Sequence, residues 1–277
     1  MGKQQPSGTK SPLALWHLLS LDAPTVATLW TWFIARASRV TLNTIPLLAM
    51  AAAVWTLYAA DRLLDAQTSE VDALEDRHHF HQQHRPGFMA GIGLASILLA
   101  TLLPRIPEQA IQLYLILGGL VFGYFILIHA TRSAHRLPKE IAVGVCFAAA
   151  TFIPTVAREP GLRLSLLAPA LLLAAACSLN CLFIYAWEHP HPTGPQPHLI
   201  TAIALRCLLP LTLAVTILSA GLAVFDRHAP WTLYAAVSFA AIALLLLHLR
   251  RRALQPLELR AAADLALLTP LLLVPFL

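Results

Sequence analysis

Two aspartates four residues apart, Asp61 and Asp65, end the segment Trp55-Thr-Leu-Tyr-Ala-Ala-Asp-Arg-Leu-Leu-Asp, which closes an uncharged run of helical length. Residues at i and i+4 lie on one helix face. A helix C-terminus carries negative partial charge and favours cations, so two carboxylates there call for a compensating positive charge. A bound metal ion is one such charge, and solvation at a membrane surface is the plainer alternative. A second polar group closes another apolar run, Asn180-Cys-Leu-Phe-Ile-Tyr-Ala-Trp-Glu188, where Asn180, Ile184 and Glu188 share a face. Arg132, Arg136 and Lys139 stand within eight residues beside Pro138, just before an apolar run. They read either as an anion-binding corner or as basic residues that set membrane orientation.

The elements that must position these groups are membrane helices. Hydrophobic residues make up 58% of the 277 positions and charged ones 12%, far from the composition of a soluble domain. About 20 apolar residues cross a bilayer as a helix. Nine spans are expected, at 22–36, 43–61, 88–104, 110–129, 140–157, 164–187, 199–224, 231–249 and 261–277. The fold class is therefore all-α, a polytopic bundle of about nine transmembrane helices. A polar tail, 1–12, precedes a single helical domain, 13–277, with cap loops near 66–87, 130–139 and 188–198. The tail shows no cleavage site after a compact apolar core and only a weak myristoylation look-alike at Gly2.

The net charge of +5 is best read loop by loop, because basic residues mark the cytoplasmic side. With the N-terminus inside, twelve Lys and Arg fall in inner segments, six in outer ones, and Arg206 within a span. This puts the N-terminus, Asp61, Asp65 and Glu188 on the cytoplasmic face.

Other residues carry weaker signals. Asp22-Ala-Pro24 looks like a helix N-cap with proline in the first turn, after a lead-in, 12–21, suited to the interface. His78, His79, His81 and His84 fall in the longest polar segment, where a partly helical cap is favoured over a transition-metal site. Cys146, Cys177, Cys181 and Cys207 lie in apolar segments and read as small buried hydrophobes. Arg206 and Asp264 are intramembrane charges and candidates to pair with each other. Arg250, Arg251 and Arg252 read as orientation and anionic-lipid contact. Asn43, Tyr58 and His129 are lesser candidates to line a cavity. Nothing in the chain suggests nucleic-acid binding.

Taken together, the D-x-x-x-D pair, Arg77 and Arg85-Pro86, the stretch from Arg132 to Gly144, and Asn180 to Glu188 resemble the UbiA-type intramembrane prenyltransferases. The resemblance covers nearly the whole chain in span count and order. It implies nine helices around a lipid-accessible cavity and two acidic motifs that hold a prenyl diphosphate through Mg2+. By that resemblance Asp61, Asp65 and Glu188 hold the metal and carry catalysis. Arg77, Arg132, Arg136, Lys139 and Asn180 bind substrate, and the partners are a prenyl diphosphate, a lipophilic acceptor and membrane lipids. The chain departs from the family where Leu57 and Tyr58 replace an Asn-Asp pair and where the second motif keeps only Asn180 and Glu188. A catalytically silent relative that binds a lipid diphosphate or acts as a scaffold, and a small transporter, are the competing functions.

Overall fold

Long apolar runs fold as helices because hydrocarbon offers the backbone no hydrogen-bond partner other than itself. The computed structural model describes residues 11–68, 76–130, 138–189 and 198–277, with only the backbone at 65–68, 76–79 and 124–130. Among the described residues every regular element is helical: α1 (Pro12–Leu18), α2 (Asp22–Ala37), α3 (Thr44–Thr68), α4 (Asp76–Gln83), α5 (Arg85–Leu102), α6 (Glu108–Ala130), α7 (Lys139–Arg158), α8 (Leu167–Glu188), α9 (Leu199–Arg206), α10 (Leu208–Phe225), α11 (Trp231–Arg250), α12 (Pro256–Leu265) and α13 (Pro270–Leu273). Among the described residues seven helical segments are long and apolar enough to cross a membrane, and eight if the bent pair α1 and α2 counts as one. The chain is thus a multi-pass membrane protein by length and composition.

Helix α8 is central, with 61% of its apolar window buried, whereas α5 and α10 are peripheral at 11% and 17%. Helices α5, α6 and α10 turn Leu94, Leu115, Leu120, Phe122 and Ile217 outward, as lipid-facing surfaces do. The core joins Trp30, Phe33 and Ile34 of α2 to Phe152 of α7, Leu173 and Ala176 of α8, and Tyr234, Val237 and Ala240 of α11. Lipid tails are as apolar as these side chains, so association rests on close packing, which small residues permit. Trp30 adds a directed bond, its Nε1–H donating to the Leu267 carbonyl at 2.9 Å.

Prolines account for the irregularities. Expected span 199–224 is two helices, broken at Cys207. Pro210 lacks the N–H that would bond the Arg206 carbonyl, and its ring crowds that carbonyl. Expected span 261–277 starts earlier, at Pro256, and is interrupted by tight turns near Pro270 and Pro275. Pro154 stays inside α7 because the Ala150 carbonyl it leaves without a partner accepts from Tyr114 Oη at 3.2 Å.

Beyond α10, Asp226 caps the turn to α11. Its Oδ2 accepts from Tyr234 Oη and its Oδ1 from the His228 N–H, at 2.8 Å. The tyrosine hydrogen bond, then that backbone bond, hold the carboxyl below its ordinary range. A folded-state pKa below the unfolded value contributes stability above the unfolded pKa, about 4, and loses it as pH falls through the folded value. Thermal unfolding in detergent at about pH 7 and about pH 3 is expected to show a smaller acid-induced drop for Tyr234→Phe than for wild type. Equal drops would refute the assignment.

Candidate functional site

The corner between α1 and α2 starts the site. The two helices meet at 88°, and Ser20 takes a left-handed φ of 58° to make the turn. This points His17, Ser20 and Asp22 to the same side, all almost completely buried. Asp22 is the first residue of α2, and its Oδ1 accepts from the Ala23 N–H at 2.9 Å. The N-cap expectation located the helix start within a residue, but the side chain is buried in a network.

Arg62 of α3 closes that network. One guanidinium nitrogen donates to Asp22 Oδ2 at 3.0 Å, and the other to the His17 carbonyl and, at 3.2 Å, to Ser20 Oγ. The guanidinium also stands 5.9 Å from the centre of the Tyr58 ring. His17 Nδ1 lies 2.5 Å from Asp22 Oδ2 and 3.8 Å from Asp264 Oδ2 of α12. Asn180 of α8 donates to Asp264 Oδ1 at 2.9 Å. Five helices, α1, α2, α3, α8 and α12, therefore meet at one buried polar cluster. A pair of carboxylates in such surroundings demands partners, and Arg62, Asn180 and His17 are those present.

The histidine-rich segment is helical over Asp76–Gln83, as the cap reading expects. His81 is fully buried, 3.3 Å from Ser20 Oγ and with its ring centre 4.4 Å from that of Phe88 at a 31° tilt, so this helix is fastened to the α1–α2 corner. His84 is exposed beside Phe80, and the side chains of His78 and His79 lie outside the described residues.

Of the other expected site residues, Asp61 is exposed on α3, about 100° around the axis from its inward-facing neighbour Arg62. Glu188 is ion-paired with Arg260 of α12. Asn180 is buried, and Lys139 is exposed at the start of α7. The side chains of Asp65, Arg77, Arg132, Arg136 and His129 lie outside the described residues. Contacts from Glu140 to Thr201, from Trp187 to His248 and from Glu188 to Arg260 place the ends of α7, α8, α9, α11 and α12 together. The proposed Arg206–Asp264 pair is not formed. Arg206 is exposed at the Cys207 break, while Asp264 faces Asn180 and His17. Of the cysteines, Cys177 is buried, Cys146 and Cys181 are half-buried and Cys207 is exposed.

Sequence reasoning missed His17 and took Arg62 as an orientation marker. The signals that pointed to the cluster were Asn180 and Asp264, polar groups within apolar spans, which are costly there without partners. At the opposite end of α3 an apolar cavity of about 670 Å³ is lined by Asn43, Met50, Leu103, Tyr114 and Pro154, with Arg105 and Arg158 on its wall. Asn43 thus lines a cavity, as expected.

These features define a polytopic helical membrane protein with a buried polar site at one end and an apolar chamber at the other. Compared with known proteins, the chain matches no family model, and neither a curated protein nor a solved structure is significantly similar to it.

Proposed function

We propose that the protein is an intramembrane prenyltransferase that moves a prenyl group from a prenyl diphosphate to an apolar acceptor, aromatic acceptors included. The observation that supports this reading is the convergence of α3 and α8, which carry the two motif segments, on one polar cluster inside a lipid-facing bundle. A diphosphate needs cationic and metal partners, while a prenyl tail needs a dry apolar space. The all-oxygen set of Asp61, Asp65 and Glu188 has the donor chemistry that Mg2+ prefers, and these residues would hold the ion. When bound, the ion would neutralise charge on the departing diphosphate. Lys139 at the start of α7, with Arg132 and Arg136 shortly before it in the sequence, would share that task, and Glu188 would exchange its Arg260 partner for the ion.

A second reading is a silent relative that binds the lipid diphosphate without turning it over. It is favoured by the Glu188–Arg260 pair, which already satisfies one proposed ligand. The two readings separate on diphosphate release by purified protein, with and without Mg2+, given prenyl diphosphates of several lengths and a pool of quinone and phenolic acceptors. The enzyme reading expects Mg2+-dependent release that vanishes in Asp61→Asn/Asp65→Asn. Tight Mg2+-dependent binding with no release would select the silent relative, and absence of both would sink the proposal.

A further inference from the structure

Apart from the diphosphate site, we propose that His17, Asp22 and Asp264 form a binding site for one divalent transition metal ion. The ligand atoms of these three residues lie within 4.8 Å of one another, the one group of this kind among the described residues. They come from α1, α2 and α12, so the site exists only in the folded bundle.

The cluster has donors to spare. His17 is 1% exposed; its Nδ1 lies 2.5 Å from Asp22 Oδ2, while its Nε2 is buried with no hydrogen-bond partner. Asn180, 5% exposed, spends its amide N–H on Asp264, while its Oδ1 is buried with no partner. A buried polar atom without a partner costs about 1–3 kcal/mol, so these orphans mark a place where a further group belongs. A metal drawn between His17 and the two carboxylates would satisfy the imidazole and open the short contact with Asp22.

Charge is consistent with a cation. With both carboxyls ionised and His17 neutral, Asp22 and Asp264 against the one guanidinium of Arg62 give the buried group a net charge of −1. A divalent ion reverses the sign and would make the cluster attractive to an anionic headgroup. Arg62 and the Ala23 N–H hold Asp22 in place, and Asn180 holds Asp264, the outer-shell support that metal carboxylates commonly have. An imidazole beside two carboxylates suits Mn2+, Fe2+ or Zn2+, whereas Mg2+ prefers oxygen alone. The Asp264 side chain is 19% exposed and offers the entry path.

The inference does not depend on the prenyltransferase reading. The test uses full-length protein in detergent, stripped with chelator, reloaded with Mn2+ or Zn2+ and desalted. Metal content by mass spectrometry is expected to reach about one ion per chain, with a rise in thermal midpoint. For Mn2+, electron spin echo should detect a coordinated imidazole nitrogen. Asp264→Asn and His17→Gln, checked for folding by size exclusion, should each weaken retention at least ~tenfold, and His17→Gln should erase the nitrogen signal. Asp61→Asn/Asp65→Asn should retain the metal whether or not diphosphate release survives. A wild-type protein that takes up no metal and shows no thermal shift overturns the site, as does full retention in both folded variants.

Discussion

Arg62→Ala is expected to cost about 3–5 kcal/mol of stability, because it strands the Asp22 carboxylate in a buried position without its counter-charge. The loss extends to the α1–α2 corner, since the same guanidinium donates to the His17 carbonyl and to Ser20 Oγ. Thermal unfolding in detergent is the measurement. Asp61→Ala, one residue away but exposed, should change stability by at most about 1 kcal/mol, the range of surface ion pairs. The double change Arg62→Met/Asp22→Asn removes both charges together and should recover much of the loss, as expected of directly coupled partners. If Arg62→Ala proves no worse than Asp61→Ala, the inward face of α3 has been misassigned.

Gly144→Ala carries the other large effect. At this position α7 passes so close to α8 that an added Cβ would meet Ser178 Oγ and backbone N, and would lie 2.8 Å from Ser178 Cα. A flexible side chain can turn aside, but backbone cannot, so the helices must separate. Overpacking of this kind costs about 1–3 kcal/mol, and Val should cost more than Ala. Ser178 bonds the Ala174 carbonyl at 2.8 Å and reaches Ile141 at 3.4 Å, so the displacement would also disturb the start of α7. Ser178→Gly should fail to rescue Gly144→Ala because most of the clash is with main chain. Gly118→Ala and Gly119→Ala on α6, where nothing lies within 4 Å, serve as controls and should be neutral or slightly stabilising. Equal midpoints for Gly144→Ala and these controls would refute the close approach.

The contrast between Asp61 and Arg62 shows what one sequence can and cannot reveal about such a site. The i, i+4 rule puts Asp61 and Asp65 on a common face but leaves open whether that face or the neighbouring one points inward. Adjacent helical residues differ by about 100° around the axis. The structure turns the Arg62 face inward, and the arginine that topology treats as an orientation marker becomes the centre of the network. His17 lies five residues from its near partner Asp22, but the turn at Ser20 that brings the two together and the approach of Asp264 from α12 are set by tertiary structure. Most span positions were legible because their apolar runs are long. The Cys207 break was also legible in principle from Pro210, whose missing N–H weighs against a continuous helix across Arg206. The histidine cap was correctly read as helical, but only tertiary structure shows that His81 alone of the described histidines there is buried against Ser20.

The L-shaped start of the chain bears on how the molecule is assembled. Helices α1 and α2 hold His17, Asp22 and Trp30, yet Trp30 bonds Leu267, 237 residues later, and His17 meets Asp264. Until α12 and the turn after it enter the bilayer, these polar groups lack those distant counterparts. The fold is therefore shut like a clasp by elements far apart in sequence, and the polar site is complete only once α12 has joined α1 and α2. Truncation anywhere before α12 removes not a peripheral strut but the closing half of that clasp.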